Sequence, residues 1–442
     1  MKLPTFFRLS VLLLLISFAV ASASEEAVEI ENGKIVGEKY EDFIAYRGIP
    51  YAEPPVGSLR FAAPRPYVEK WENEREFKSY QSNCAQYSHF GYEFEGNEDC
   101  LFLNVFVPKT VSRLDEKVPV IFYIHGGAFM FGGGKGYGPE NIMESQNMIL
   151  ITINYRLGVF GFLSTEDEAI PGNFGLKDQV EALKWVQRNI EAFNGDPKRV
   201  TIVGYSAGGA SVQLHYMSPL SDGLFNNGIS HSGNSLDPWV MVENSRKKAE
   251  SLAASVNCPT EDHEQLRQCL RKKPAKDLAM FAKTYQPFLY NPFSPFGIVV
   301  EVPNDSAFIT DHPKNLLKLG NFKKLPWLLS QTQDEGLYPA AEFYSDEKYL
   351  AEINEKWTEL APFILDFNET STDTKLKKEV SVKIREYYLG QAEISKQSFH
   401  HFCDVSRKYF SLKAHFRLFK VLCELEKLDS LFQFFFCLSK TF

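Results

Sequence analysis

VTIVGYSAGG, residues 200–209, decides the fold class of this 442-residue chain. Four β-forming residues lead into a Gly-x-Ser-x-Gly motif, and small residues follow it. A serine at a sharp turn between a strand and a helix needs glycine on both sides, because a Cβ there would collide with neighbouring backbone. The pattern therefore predicts a nucleophile elbow with an exposed Ser206 hydroxyl. The Ala207 N–H, at the N-terminus of the following helix, would then donate to an oxyanion.

A glycine-rich loop follows an earlier apolar run. The run covers residues 118–124, and His125-Gly126-Gly127-Ala128-Phe129 comes directly after it. A loop with few side chains lets backbone N–H groups converge on a bound oxygen. We expect the N–H groups of Gly127 and Ala128 to join Ala207 in an oxyanion hole, where each donor is worth about 3 kcal/mol in the transition state. The alternative for the loop taken alone is a plain glycine-rich surface turn.

Apolar runs rich in β-forming residues recur through the first two thirds of the chain. They cover residues 118–124, 148–155, 200–203 and 325–329. Between the second and third runs, apolar residues recur every three or four positions from Leu176 to Phe193, which predicts an amphipathic helix. Strands that alternate with such helices predict an α/β fold with a mostly parallel central sheet and helices on both faces. Reactive groups collect at the carboxyl ends of such strands.

Polar helical stretches follow the strand-rich part. They cover residues 245–254, 261–271 and 345–389, and they are typical of surface additions. The region after about residue 396 fits the α/β pattern least.

A carboxylate is expected to orient the general base. In the chain order of this fold class the acid follows the serine, at the end of a later strand. The segment Ser330-Gln331-Thr332-Gln333-Asp334-Glu335-Gly336 follows the run at 325–329 and supplies two candidates. We choose Glu335 over Asp334, although a loop acid is more often merely solvated.

Composition excludes several classes of partner. The chain is 44% hydrophobic with a formal net charge of −8. Its charges are interspersed, so no basic stripe exists and we expect no nucleic-acid partner.

No repeat or Gly/Ser/Pro-rich linker divides the chain, and we expect one domain over residues 24–442. The sequence implies neither a metal nor a cofactor.

The N-terminus resembles a secretory signal peptide over residues 1–23. Lys2 and Arg8 precede an apolar run, and Ala21-Ser22-Ala23 offers a cleavage site. The run is shorter than the roughly 20 residues of a spanning helix, so we expect no transmembrane segment. The mature chain is expected to be secreted.

Cysteines and glycosylation acceptors agree with secretion. Cys84 with Cys100 and Cys258 with Cys269 are closely spaced candidates for pairing, and each closed loop would contribute about 3 kcal/mol. Cys403, Cys423 and Cys437 cannot all pair with one another. Asn304-Asp305-Ser306 and Asn368-Glu369-Thr370 match the acceptor pattern, with an unmodified polar loop as the alternative for each.

Together these segments resemble the type-B carboxylesterases, a cholinesterase and carboxylesterase family with the α/β-hydrolase fold, and most closely its secreted invertebrate members. The likeness extends over residues from about 28 to 395. It is carried by EDCLFLNV at 98–105 with Pro108, the loop at 125–129, NYRLG at 154–158, GNFGL at 172–176, and FNGDP at 193–197 leading into the elbow. The resemblance implies an esterase with Ser206 as nucleophile, Glu335 as acid and Gly127, Ala128 and Ala207 as oxyanion donors. It also implies that both closely spaced cysteine pairs are disulfides.

Two departures from the family bear on the substrate. Many members have Glu before the serine, where this chain has Tyr205. The loop from Cys84 to Cys100 holds no Trp, so it lacks the aromatic face on which relatives bind choline. A cholinesterase is therefore disfavoured, and we expect a small uncharged ester as substrate. The segment His231-Ser232-Gly233 matches a structural segment of the family, so we interpret His231 as a packed residue and not as a catalytic one. This segment leads to Trp239 near the acyl pocket.

The general base is missing from the pattern. The family's histidine follows the acid by more than a hundred residues in a Gly-x-x-His context, whereas this chain offers only His400, His401 and His415 after Glu335. We therefore expect a C-terminally shortened esterase whose closing run, residues 431–436, is a family strand rather than a lipid-anchor signal. The alternatives are an inactive esterase-like binding or adhesion protein, or a truncated isoform without function.

Overall fold

The computed structural model describes residues 26–88, 91–111, 116–145, 147–407 and 435–438. The expected signal peptide at 1–23, His415 and Cys423 lie outside these residues. The strands are β1 Ala27–Ile30, β2 Gly33–Val36, β3 Glu38–Lys39, β4 Phe43–Pro50, β5 Arg75–Glu76, β6 Gln86–Tyr87, β7 Phe94–Glu95, β8 Phe102–Pro108, β9 Val118–Ile124, β10 Ile149–Ile153, β11 Gly195–Tyr205, β12 Asn227–His231, β13 Trp327–Thr332 and β14 Phe435–Leu438.

Helices alternate with the later strands. The α-helices are α1 Glu140–Met143, α2 Gly158–Phe162, α3 Phe174–Asn189, α4 Ala207–Met217, α5 Ser245–Ser255, α6 His263–Leu270, α7 Ala275–Met280, α8 Pro313–Leu319, α9 Leu337–Tyr344, α10 Glu347–Glu355, α11 Trp357–Ile364, α12 Thr374–Leu389 and α13 Phe399–Arg407. Short 3-10 turns lie at Gly57–Leu59, Gly134–Gly136, Ile190–Phe193, Pro219–Ser221, Phe281–Tyr285 and Lys396–Ser398.

A mixed sheet forms the centre of the molecule. Among the described residues its strand order is β14-β13-β12-β11-β9-β10-β8-β4-β3. The strands from β14 to β10 in this order pair in parallel, and β8, β4 and β3 add antiparallel pairs. The predicted α/β class with a mostly parallel central sheet is confirmed. The part of the closing run that is described, from Phe435, belongs to edge strand β14, which pairs with β13.

The core follows from the apolar runs. β10 is buried along its whole length, and β9 alternates between buried and half-buried residues. All of α4 is buried, and it packs on β9, β11 and β12. Since every buried CH₂ contributes roughly 0.8 kcal/mol, these central elements supply a large share of the stabilising apolar burial.

Strand register places the loops that follow β9, β11, β12 and β13 at one edge of the sheet. Gly204 pairs with Ile124, and Tyr205 pairs with His231. His231 in turn pairs with Ser330. The carboxyl ends of β9, β11, β12 and β13 therefore lie side by side, which is where parallel α/β sheets place their ligands.

The helices α9 to α13 enclose a smaller second core. Phe343, Trp357 and Phe402 are at most 3% exposed and lie in one apolar cluster. The predicted polar helical stretch at 345–389 is divided into α10, α11 and α12. The side chains of Asp346 and Asp373 cap the N-termini of α10 and α12, which fixes two of the breaks. Throughout the described part of the chain, every helix is too short or too polar to cross a bilayer.

Candidate active site

Ser206 lies at the junction of β11 and α4 with φ 57° and ψ −120°. L-residues rarely adopt this backbone conformation, so the surrounding chain must enforce it. A Cβ on Gly204 would lie 2.2 Å from the Gly208 backbone, and a Cβ on Gly208 would lie 2.0 Å from the Ile124 carbonyl oxygen. The glycines of the motif therefore let the strand, the turn and the helix approach closely, as an elbow requires.

The Ser206 hydroxyl faces a cavity. Ser206 is half-buried and lines a cavity of about 510 Å³. The backbone N–H of Ser206 donates to the His231 carbonyl at 2.8 Å. Among the described residues none forms a hydrogen bond with its side chain. The hydroxyl is therefore open to a ligand, which a nucleophile needs.

The glycine-rich loop after β9 lies against the elbow. A Cβ on Gly126 would be 3.1 Å from the Ser206 Cβ. Gly127, Ala128 and Phe129 all have positive φ, of 107°, 54° and 61°. The N–H groups of Met130 and Phe131 donate to the Gly127 carbonyl, which closes the loop into a tight turn. This conformation is fixed by the loop's own hydrogen bonds and by its contact with the elbow.

Three amide N–H groups beside Ser206 are unused. Within the described part of the chain, no residue accepts a hydrogen bond from the N–H of Gly127, Ala128 or Ala207. Buried backbone N–H groups are nearly always paired, so unused donors lining a cavity indicate a ligand acceptor. An oxyanion would satisfy them.

The carboxylate of Glu335 lies in the turn after β13. Its Oε1 accepts from the Ser232 hydroxyl at 2.6 Å and from the Thr332 N–H at 2.7 Å. Glu335 is half-buried and lines the same cavity as Ser206, whereas Asp334 is exposed. The geometry thus favours Glu335 over Asp334 as the acid that faces the cavity. Ser232 was missed by the sequence analysis, although it directly follows β12 at the same edge of the sheet.

No described histidine contacts Ser206 or Glu335 by a hydrogen bond. His231 is half-buried, and its Nδ1 lies 2.6 Å from the Ser330 hydroxyl. His125 is buried and stacks on Tyr155, and burial lowers the pKa of its imidazole to about 4. The remaining described histidines lie on helices or in loops elsewhere: His215 is buried in α4, His263 pairs with Asp167, His312 caps α8, and His400 and His401 lie on α13.

Aromatic rings and polar loop residues form the cavity wall. Phe131, Tyr137, Trp239, Phe293 and Tyr338 line it together with Tyr205, which is 44% exposed. On the side of the first disulfide loop the wall is polar, with Asn83, Gln86, Ser88 and Glu95. Burial raises the pKa of Tyr205 and raises that of Tyr338 to about 12, so both phenols are neutral at physiological pH.

The closely spaced cysteines form disulfides. Cys84 is bonded to Cys100, and Cys258 is bonded to Cys269. Gln86, which follows Cys84, accepts from the Gly132 N–H and donates to the Gly132 carbonyl, so the first disulfide loop is tied to the segment that follows the oxyanion loop. Of the residues whose side chains are described, Cys403 is a free thiol.

The two glycosylation acceptors differ in exposure. Asn304 is exposed, whereas Asn368 is half-buried and its amide donates to Glu369. Within the described ranges, no cluster of three or more His, Cys, Asp or Glu side chains could hold a metal ion.

Comparison with known proteins agrees with this geometry. A model of the carboxylesterase family matches residues 24–424. The chain belongs to the carboxylesterase family. The predicted resemblance is thereby confirmed.

Several insect esterases are similar to this family member. Venom carboxylesterase-6 of Apis mellifera is 44% identical over 355 residues, which cover 79% of this chain and 63% of the bee protein. Esterase-5B of Drosophila persimilis is 40% identical over 393 residues, covering 86% of this chain and 72% of that protein. The chain therefore spans less than two thirds of the length of the bee relative.

A solved structure shares the fold. Juvenile hormone esterase from Manduca sexta, crystallised with OTFP covalently attached, matches with a TM-score of 0.78 at 28% identity. The match covers 94% of this chain and 78% of the moth chain. The α/β-hydrolase fold is thereby confirmed.

Proposed function

We propose that this carboxylesterase family member is a secreted hydrolase of uncharged carboxylic esters that acts through an acyl-serine intermediate. One observation carries the proposal: Ser206 is held in an enforced elbow beside three amide N–H groups that have no other acceptor. In this mechanism the Ser206 Oγ attacks the ester carbonyl carbon and the carbonyl oxygen becomes an oxyanion. A general base takes the Ser206 proton and returns it to the leaving alcohol. Gly127, Ala128 and Ala207 donate to that oxyanion in both tetrahedral intermediates, and the alcohol leaves before water releases the acid.

Glu335 is the proposed orienting acid. Its carboxylate is held by Ser232 and Thr332 at the cavity that Ser206 lines. A carboxylate in this role keeps an imidazole in the correct tautomer and stabilises the imidazolium that forms. The described histidines are engaged or placed elsewhere, so we further propose that none of them is the general base. Loss of the base costs about a millionfold in turnover and leaves about a thousandfold over water.

The preference for uncharged esters rests on the cavity wall. Tyr205 occupies the position where many family members carry Glu, and the first disulfide loop lines the cavity with Gln86, Ser88 and Glu95 instead of an aromatic face. A cationic alcohol would therefore find no carboxylate at position 205 and no stacking partner on that loop. The aromatic rings on the opposite side suit an apolar acyl group.

Secretion, a single domain over residues 24–442 and glycosylation belong to the same proposal. Two disulfides are typical of oxidising compartments. Asn304 is the better acceptor of the two, because it is exposed while Asn368 is bonded within the fold.

Hydrolysis of p-nitrophenyl butyrate with and without added imidazole tests the proposal. Imidazole supplies the base that none of the described histidines provides, so the rate with imidazole should exceed the sum of the rates of chain alone and imidazole alone by at least about tenfold. The Ser206→Ala variant should lose this excess. A folded chain that shows no excess would favour the alternative of an esterase-like binding protein.

A further inference from the structure

A second and larger cavity lies behind Trp239. Its volume is about 1050 Å³. Among the described lining residues, Trp239 is common to this cavity and to the cavity that Ser206 lines. Pro238, Tyr285 and Phe363 continue its apolar wall. The proposed ester hydrolysis makes no use of this space. Large concave sites with an apolar wall and a few polar groups are typical ligand sites.

One end of this cavity is charged. Glu243, Lys248, Asp366 and Glu369 line it. Lys248 is buried, and its Nζ donates to the Pro295 carbonyl at 3.2 Å without any described carboxylate oxygen within 4 Å. Burial lowers the pKa of this amine, while Glu369, Asp366 and Glu243 act to raise it. Three carboxylates thus face a single ammonium group at this end.

The carboxylates differ in how they are satisfied. Both oxygens of Glu369 accept from side-chain amides, one from Asn244 at 2.9 Å and one from Asn368 at 3.0 Å. The side chain of Asp366, by contrast, accepts no hydrogen bond from any residue that the structure describes. Asp366 follows α11 closely and has a φ of 54°, and burial raises the pKa of its carboxyl to about 7. Asp366 is half-buried and lines the cavity, so a ligand in the cavity can supply the donor that the described residues do not.

We propose that the cavity behind Trp239 binds an amphiphilic amine, with its apolar chain along Trp239, Tyr285 and Phe363 and its ammonium group donating to Asp366. At the charged end an ammonium group gains attraction from three carboxylates and meets repulsion from Lys248. A carboxylate ligand would meet the reverse balance. The other titratable lining residues do not reverse this difference. Glu166 and Lys314 carry opposite charges, and burial favours the neutral forms of His312 and Asp237.

The cavity is also linked to the glycine-rich loop at 125–129. Ser294 lines it and donates to the Ala128 carbonyl at 2.7 Å. The inference nevertheless concerns binding alone, and it stands whether or not Ser206 hydrolyses esters.

Isothermal titration with decylamine, decanol and decanoate at about pH 8 tests the inference. We expect decylamine to bind one to one, decanol to bind about tenfold more weakly, and decanoate to bind weakest. The affinity for decylamine should fall severalfold between about pH 8 and about pH 6, as Asp366 takes up a proton. Decanoate binding as tightly as decylamine would overturn the inference, as would an affinity for decylamine that does not change with pH.

Variants locate the site. Asp366→Asn combined with Glu369→Gln should weaken decylamine binding at least about tenfold. Glu355→Gln, an exposed change on neighbouring α10, should leave it unchanged. Ser206→Ala should also retain binding, which separates this inference from the proposed hydrolysis. If the double variant folds and binds decylamine as the parent chain does, the site is wrong; if it fails to fold, the ligand ranking and the pH series decide.

Discussion

Three non-glycine residues of the elbow and of the glycine-rich loop at 125–129 have positive φ. They are Ser206, Ala128 and Phe129. Each such residue costs of order 1 kcal/mol or more and persists only where its surroundings impose it. Here the close approach of Gly204 to Gly208 imposes one, and the Gly127 turn with the Ser294 hydrogen bond imposes the others. Part of the strained backbone of the chain thus lies where unused amide N–H groups face the cavity.

Gly208→Ala is expected to distort the elbow. The new Cβ would lie 2.0 Å from the Ile124 carbonyl oxygen, which belongs to a central strand and cannot move away. We expect the free energy of unfolding to fall by about 2–3 kcal/mol in urea. Gly138→Ala is the control, because its Cβ would approach the movable Glu140 carboxylate. Equal stability of the two variants would contradict this account of the elbow.

Ser232→Ala is expected to slow the reaction of Ser206 without unfolding the chain. It removes the 2.6 Å hydrogen bond to Glu335, and hydrogen bonds to charged groups are worth about 1.5–3 kcal/mol. With imidazole present, the rate of Ser206 labelling by a fluorophosphonate should fall roughly tenfold. Ser145→Ala, on an exposed loop, serves as the control. An unchanged labelling rate for Ser232→Ala would show that Glu335 does not act through this contact.

Residue identities at the candidate site divide into those that sequence can predict and those that it cannot. Ser206 and the loop glycines lie in short local motifs, so the sequence analysis places them at the site. Ser232 and Ser294 act on partners 103 and 166 residues away in the chain. Their roles depend on strand order and on loop packing, which no local pattern encodes.

At the scale of elements, strand centres are predictable and strand ends are not. The apolar run at 325–329 predicts a strand that in the structure shifts to Trp327–Thr332 and includes polar Ser330, Gln331 and Thr332. Ser330 continues the strand because its neighbours β12 and β14 provide hydrogen-bond partners on both sides. Similarly, β11 begins at Gly195, five residues before the apolar run, because Gly195 pairs with Val118 on β9.

The first disulfide is expected to stabilise the loop that forms the polar cavity wall. Cys84 and Cys100 are 16 residues apart, and a loop of that size contributes about 3 kcal/mol. The double variant Cys84→Ser with Cys100→Ser should lose about this much in urea unfolding. Cys403→Ser removes a free thiol and should cost under about 1 kcal/mol. A double variant as stable as the parent chain would show that the loop is held by its other contacts, Gln86 with Gly132 among them.

At the scale of the whole molecule, buried titratable groups set the response to acid. His215 is buried, its Nδ1 lies 2.7 Å from the Ser221 hydroxyl and its Nε2 lies 2.9 Å from the side-chain Oε1 of Gln179. Burial, together with nearby Lys323, lowers the pKa of His215 to about 3. In the unfolded chain the His215 imidazole therefore takes up a proton near pH 6.5, whereas in the folded chain it stays neutral at that pH.

Acid sensitivity should follow from this difference. Because the folded pKa lies below the unfolded pKa, the stability that His215 contributes is present above about pH 6.5 and is lost as the pH falls toward 3. Between about pH 7 and about pH 5 the loss is about 2 kcal/mol. In His215→Gln the stability difference between these two pH values should shrink by about that amount, measured by urea unfolding. His400→Gln, on α13, should leave the difference unchanged; a parent-like difference in His215→Gln would refute the assignment.

The overall architecture was accessible from sequence, and the two cavities were not. Alternating strands and helices predict the sheet, because apolar periodicity directly reports which faces are buried. The space behind Trp239 depends on how the loop around Ser294, helix α5 and the end of α11 pack together. Such volumes arise from side chains distant in sequence, and periodicity does not report them.

Covalent labelling of the folded chain by a fluorophosphonate, with imidazole present, tests the central claim most directly. The label should appear on the tryptic peptide from Val200 to Arg246, at Ser206 by fragmentation, and should be absent from Ser206→Ala. A chain that unfolds cooperatively but remains unlabelled, or that carries the label on another residue, would contradict the claim that Ser206 is a presented nucleophile.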